Sequence, residues 1–408
     1  MAIFPIEILR SLRHRNFRIY YLGQLVSLNG TWMQSVAQSW LIYRLTESGF
    51  LLGLTGTLTL LPNLIFGIYG GWLADRFPRQ RLLIIVQALA MVQALVLGVL
   101  TVGGWVQPWH ILILALALGL VQAVETPVRQ SFISQLVERE DLTNAIALNS
   151  SMFHLARFIG PAIAGVLVAW VGEGPVFIIN AVTFIAVLIS LCVIRLPVYV
   201  PETDDRRGVS TIWSGFHYAW NHGLTRSLLM TVAAVSLFGG ATVVLMPIFV
   251  DKVFDHGPQT LGVFMGMLGA GSLTAALTLA HQREFRLLER RVAVAAVSVA
   301  LGLVVFALNE RYVLALVILY IMGFSTTTVF ASSNALIQLS VPDYLRGRTM
   351  ALFTIALHGM VSLGQLMLGS LSDLLGAPYT AGLSGAFLLV LAILITTMLY
   401  SIGRLEDH

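Results

Sequence analysis

The sequence predicts an all-α membrane protein of twelve transmembrane helices in two pseudo-symmetric six-helix halves, and three observations carry that prediction. Of 408 residues, 57% are apolar and only 11% charged, with a mean hydropathy of +0.84, whereas a water-soluble chain carries roughly a quarter of its residues as charges. Apolar stretches of the roughly 20 residues needed to cross a hydrocarbon core of about 30 Å recur along the whole chain. The basic residues, finally, fall almost entirely between alternate pairs of those stretches, as the translocation machinery requires of cytoplasmic loops.

Span one, 17–43, follows Arg10, Arg13, Arg15 and Arg18 with no small-residue cleavage site after a short apolar core, so it reads as an uncleaved helix. Along it Gln24, Ser27, Thr31, Gln34 and Gln38 recur at steps of three and four, forming a polar stripe. Such a stripe lines a cavity or bonds neighbouring helices to one another; cavity lining is the expectation here. Span two, 50–74, ends in a basic turn. Spans three, 82–102, and four, 109–136, follow, and Trp105 and Trp109 join Trp40 and Tyr43 in an interfacial aromatic belt.

Span four carries Glu125 and, at i+4 on the same face, Arg129. That pair either carries a proton or, with Asp75 and Arg76 nearby in topology, latches a cytoplasmic gate. Span five, 142–171, holds His154 and, near its middle, Arg157. A lipid-facing arginine there costs several kcal/mol, so Arg157 must face protein or water, as a cavity cation or as one member of an ion pair. Span six, 176–194, contains Cys192, the single cysteine, so no intramolecular disulfide can form.

The longest polar stretch, 195–226, divides the chain into a first half, 1–194, and a second, 227–408. Within it, 212–220 alternate aromatic and polar residues as a short surface helix does. Spans seven to twelve cover 228–250, 260–280, 292–308, 312–339, 351–375 and 379–401. Span ten bears a polar cluster, Ser332, Ser333, Asn334 and Gln338. With the N-terminus in the cytoplasm, 20 of the 24 Lys+Arg lie on the cytoplasmic side, and only Arg44, Lys252 and Arg311 lie outside. An even span count with both termini inside fits that distribution.

The halves are related in sequence. A shift of 204 residues superposes Ile133 on Ile337, Val137 on Val341, Ala147 on Ala351 and Leu148 on Leu352. It also matches His154 with His358, Gly160 with Gly364 and Gly165 with Gly369, while Arg157 meets Val361 and belongs to one half only. Two such halves facing each other across a cavity are an architecture of secondary transporters. The matched histidines can titrate near neutral pH and are candidates for coupling, although buried histidines also serve simply as hydrogen-bonding groups.

After span two the chain reads Gly71-Trp-Leu-Ala-Asp75-Arg76-Phe-Pro78-Arg79-Gln80-Arg81. This resembles the cytoplasmic loop signature of the major facilitator superfamily, departing from it where Pro78 replaces a glycine and Gln80 a basic residue. Glycine would let the helix approach its neighbour, and the arginines hold the loop in the cytoplasm. Gly160-Pro161-Ala-Ile-Ala-Gly165 resembles the helix-packing signature of antiporters and drug exporters in that superfamily, with Ala156 at an upstream glycine position. Glu125-Thr-Pro127-Val-Arg129-Gln130, residues 142–150 and Asp343-Tyr-Leu-Arg346-Gly-Arg348 are similar to the branch of enterobactin exporters and secretion effectors.

The one lysine, Lys252, follows no glycine-rich loop, so an ATP-driven pump has no phosphate site. Neither a zinc-protease helix signature nor a nucleophile elbow occurs, so no catalytic residue, enzyme activity, metal or cofactor is expected. The resemblance implies a proton-coupled exporter of small amphipathic, drug-like or siderophore-like molecules, acting as a monomer in the inner membrane on a small-molecule substrate, with the bilayer as its partner and no nucleic acid. A lipid flippase or a proton symporter of the same fold is the alternative.

Overall fold

The computed structural model of the chain describes residues 9–196, 212–280 and 288–406. Among them no strand occurs, and eleven helical stretches are long and apolar enough to cross a membrane. The twelfth span is the first helix, Arg15–Thr46, whose 32 residues give the length while its amides and hydroxyls dilute its apolarity. Spans two to six are Gly49–Arg76, Arg79–Val102, Pro108–Ile133, Leu142–Val171 and Glu173–Val193. A short helix, Ile212–Asn221, precedes the second half, and the rest of the polar connection, 197–211, lies outside the described residues. Span seven then starts at Gly223, inside the stretch read as linker from its polarity.

In the second half, spans eight, nine, ten and twelve are Pro258–Ala280, Leu288–Ala307, Tyr312–Ser340 and Ala377–Glu406. Two of its spans are irregular. Span seven winds into π turns at Val235–Gly239 and Phe249–Val253 around a tighter stretch, Gly240–Leu245. Span eleven runs Asp343–Thr354, then a π turn at Ile355–Gly359, then Met360–Leu375. π turns release backbone groups from the α ladder and recur at functional sites.

Helix pairing exposes the two-fold. In the first half, span one packs on five and six, three on four and six, and two on four. In the second, seven packs on eleven and twelve, nine on ten and twelve, and eight on ten, each six spans on from its counterpart. Between the halves five meets eight and two meets eleven, pairs that the same two-fold exchanges. The matched glycines explain the sequence repeat. A methyl group at Gly160 would stand 2.7 Å from Trp32 Cβ in span one, and one at Gly364 2.6 Å from Ala241 Cβ in span seven, so each lets its helix close on the first helix of its own half. Gly165 and Gly369 face the other half: methyls there would stand 2.8 Å from Gly262 Cα and 3.1 Å from Gly53 Cα. Span five ends at Gly172 and span eleven at Gly376, again 204 apart, with φ of 81° and 85° that favour glycine.

The apolar core is divided along the membrane normal. The larger cluster joins both halves through Met33, Val36, Leu41, Leu52, Val168 and Phe177 of the first and Leu228, Phe249, Phe264 and Leu368 of the second. All six first-half residues lie toward the arginine-poor face. Toward the arginine-rich face the first half keeps a separate core of Phe17, Tyr20, Leu83, Phe132, Leu148 and Phe184.

One residue of the stripe on span one, Gln34, bonds to neighbouring helices. Gln34 donates from Nε2 to Gln93 Oε1 of span three at 2.9 Å and accepts from Asn180 Nδ2 of span six at 2.7 Å. Gln93 in turn donates to the Leu114 carbonyl of span four at 3.2 Å. The expected cavity lining is therefore corrected at Gln34, because two neighbouring helices satisfy its amide inside the bundle. Thr31 bonds back to the Ser27 carbonyl at 3.1 Å, and Gln24 and Gln38 are buried. Gln34→Leu strands the amides of Gln93 and Asn180 and is expected to lose about 1–3 kcal/mol, seen as a lower midpoint of thermal unfolding in detergent. An unchanged midpoint would count against the network.

Candidate functional site

Arg157 is the sixteenth of thirty residues in span five, about 22 Å along the helix from either end. Among the described residues its guanidinium has neither a carboxylate within 4 Å nor a hydrogen bond; it lies 5.5 Å from the centre of the Trp32 ring. No ion pair of Arg157 is thus present among the described residues. His154 Nδ1, one turn earlier, and Asn29 Oδ1, on the part of span one that packs against Gly160, are buried and also lack a hydrogen bond, and Phe153 packs edge-on against Trp32. A cation on an aromatic face with a buried, unpartnered ring nitrogen one turn away can receive an anionic group.

The backbone at this point is prepared by Pro161, which lacks the N–H that would bond the Arg157 carbonyl four residues earlier. Span eight comes against that carbonyl at Gly269, where a methyl would stand 2.6 Å from the Arg157 oxygen and 2.7 Å from Phe158 Cα. Both halves therefore meet on the backbone of the residue that carries the charge. His358, the counterpart of His154, sits in the π turn of span eleven, beside Gly359, where a methyl would stand 2.9 Å from Leu64 Cδ2 of span two.

A second polar cluster lies inside the first half toward the arginine-rich face. Glu125 Oε1 is 3.5 Å from Arg129 Nε and accepts from Gln87 Nε2 at 3.2 Å. Tyr20, fully buried beside them, has a hydroxyl without a hydrogen bond. The loop signature is placed differently from expectation. A methyl at Gly71 would meet nothing within 4 Å, so Gly71 does not mediate the close helix approach; Gly70 does, 2.9 Å from Val124 Cα of span four. Asp75 and Arg81 are exposed, and Arg76 stacks over Trp72 at 5.3 Å. Arg79 joins spans two and four by donating to the Ala74 and Ser131 carbonyls at 3.3 and 3.2 Å. Gln80, the departure from the signature, donates to the terminal carbonyls of Leu191 and Ile194 at 2.6 and 2.9 Å and so caps span six.

The halves are tied at the arginine-poor face by contacts that the sequence reading missed. Asp373, in the last turn of span eleven, accepts from the Gly49 and Phe50 amides at 2.5 and 3.0 Å and from the Ser48 hydroxyl at 2.9 Å. Tyr43 donates to Asp251 at 2.7 Å, and Lys252 pairs with Glu47 at 3.0 Å. Lys252 and Arg44 are two of the three cations on the wrong side by the positive-inside count. Each has a carboxylate, with Arg44 held in a two-pronged pair to Glu173 at 2.8 and 3.2 Å. That violation was the available signal.

A family model described as transmembrane secretion effector matches residues 7–406. The staphyloferrin A transporter of Staphylococcus aureus is 25% identical over 95% of this chain and 96% of its own length. The enterobactin exporter EntS of Shigella flexneri is 25% identical over 97% and 94%, and the multidrug efflux pump Tap of Mycolicibacterium fortuitum 24% over 88% of each. Among solved structures, a bacterial homolog of the human lysosomal transporter Spinster superposes with a TM-score of 0.70 at 15% identity, covering 97% of this chain and 98% of that one.

Proposed function

This chain belongs to the transmembrane secretion effector family, transporters of the major facilitator type, and from that premise we propose that it exports a small amphipathic molecule bearing an anionic group, of siderophore-like or drug-like size. Transport runs by alternating access, with the arginine-rich face and both termini in the cytoplasm and the proton gradient as energy source. A single chain supplies both walls of the path, so a monomer suffices.

The observation that carries this reading is Arg157, a mid-membrane cation without an anionic partner among the described residues. Closing both faces around a bare arginine costs several kcal/mol of desolvation, and an anionic cargo offsets much of that. The loaded carrier therefore crosses the occluded state more readily than the empty one. Glu125, His154 and His358 are protonatable groups placed within the spans to serve the proton leg. The separation of the cores toward the arginine-rich face supports a cytoplasm-facing state that admits cargo to Arg157.

Reconstitution tests it. In liposomes with an imposed proton gradient, catecholate and hydroxycarboxylate chelators are expected to move in the export direction, and an ionophore is expected to stop them. Gradient-independent behaviour across that panel and a panel of drug-like dyes, accompanied by scrambling of fluorescent lipids, would transfer the assignment to a lipid flippase.

A further inference from the structure

Spans two and eleven carry one motif twice. Gly71-Trp-Leu-Ala-Asp75 ends span two and Gly369-Ser-Leu-Ser-Asp373 ends span eleven, sharing glycine, leucine and aspartate at an offset of 298. The same offset carries Gly49, the first residue of span two, onto Gly347 in the first turns of span eleven. The two helices run antiparallel against each other, so the copies stand at opposite faces of the membrane.

Their states differ. At the arginine-poor face a methyl at Gly369 would stand 3.0 Å from the Gly49 carbonyl carbon, and one at Gly49 2.6 Å from the Gly369 oxygen. Directly above, Asp373 takes two backbone amides and the Ser48 hydroxyl at the start of span two. Those amides are among the four that an α-helix leaves without an internal partner, and a carboxylate there also meets the positive end of the helix dipole. At the arginine-rich face, methyls at Gly71 and Gly347 would each meet nothing within 4 Å. One face has the glycines in contact; the other has them apart.

We propose that Asp373 is the latch of the outer gate, a positioning residue that holds span eleven on the start of span two while the cargo site faces the cytoplasm, and that outward opening exchanges this contact for closure of Gly71 toward Gly347 at the inner face. The proposal rests on the alternating-access reading given above. Asp373 touches no cargo; it sets the ratio of the two states. Tyr43 with Asp251 and Glu47 with Lys252 add to the same seam, so the latch is one of several cross-half ties rather than the sole one.

The test is spin-label distance measurement in nanodiscs, in a Cys192→Ser background. An outer pair, Trp170→Cys with Leu308→Cys, uses residues exposed at 78% and 82%. An inner pair uses Phe77→Cys with Leu339→Cys, also exposed. Asp373→Asn keeps the side chain's shape but loses the charge that strengthens its bonds, and is expected to raise the ratio of outer-long to outer-short populations about tenfold. The inner pair is expected to shorten in step. If Asp373→Asn yields no folded protein, Ser48→Ala is expected to move both pairs the same way by about threefold. Two populations in the unmodified protein that neither variant moves would overturn the latch alone. Outer and inner pairs that both lengthen would overturn it too, since that is loosening and not exchange. A single population in the unmodified protein at every pH and at every concentration of the chelators named above would remove alternating access itself and the latch with it.

Discussion

Arg157→Ala is expected to abolish transport, by about a hundredfold or more, while leaving the folded protein as stable as before or slightly more so. The two halves of that expectation have one cause. A buried ion pair is expensive to break because truncating one partner strands the other, typically at about 3–5 kcal/mol; Arg157 has no such partner among the described residues, only the face of Trp32. Removing it deletes a charge whose placement at a helix centre costs about 2.5–3.5 kcal/mol on insertion scales and leaves no group unpaired. What disappears is the one cation at mid-membrane for an anionic cargo. Arg157→Lys keeps the charge but not the planar fork and is expected to retain only part of the rate. Flux in proteoliposomes alongside thermal unfolding of the same preparations decides the matter: normal flux in the alanine variant, or a large fall in its unfolding midpoint, would show that Arg157 serves structure.

Gly165→Leu is expected to be as damaging for a different reason. A methyl at Gly165 already stands 2.8 Å from Gly262 Cα and 2.8 Å from the Pro258 carbonyl, and both are backbone atoms that cannot rotate away. Leucine must therefore push span eight from span five at the arginine-poor face, so the state with that face closed is lost and cycling falls by about a hundredfold, the overpacking cost being a few kcal/mol. Leu261→Cys, at a position fully buried beside Gly262, is expected to become reactive to an impermeant maleimide from the arginine-poor side only when Gly165→Leu is also present. The contrasting substitution is Gly71→Leu, which has open space in this state and is expected to leave the Leu261→Cys position protected. Equal labelling in the two backgrounds would refute the packing argument.

Much of this architecture was legible in the chain. Span number and the two-fold relation follow from apolar length and from the 204-residue repeat, because both record the solvent and the packing partner directly. Gly160, Gly165, Gly364 and Gly369 were legible as a repeat, and the structure supplies the reason: Gly160 and Gly364 each close within their own half, and Gly165 and Gly369 close between the halves. What stayed hidden depends on partners far apart in sequence. Gln34 looked like cavity lining because periodicity gives a helix face but not the neighbour, and its neighbours are Gln93 and Asn180. Gly71 and Gly70 differ by one residue and thus by 100° around the helix, which a signature alone does not resolve. The outer seam was hidden because Glu47, Asp251 and Asp373 sit at helix ends, where carboxylates are ordinary. The offset that relates Asp373 to Asp75 connects opposite faces of the membrane and lies outside the repeat that relates the halves.

The division of the apolar core bears on how the protein is made. The first six spans leave the ribosome with a core of their own, around Phe17, Phe132 and Phe184, and with the Gln34, Gln93 and Asn180 bonds complete within them. Spans seven to twelve have no such independence, because the cluster containing Phe249, Phe264 and Phe306 is continuous with Leu41, Ile42 and Phe177 of the first half. Templated assembly is the expected consequence: the second half produced alone should be protease-sensitive in the membrane, and co-production of the first half should protect it, whereas equal resistance with and without the first half would refute it.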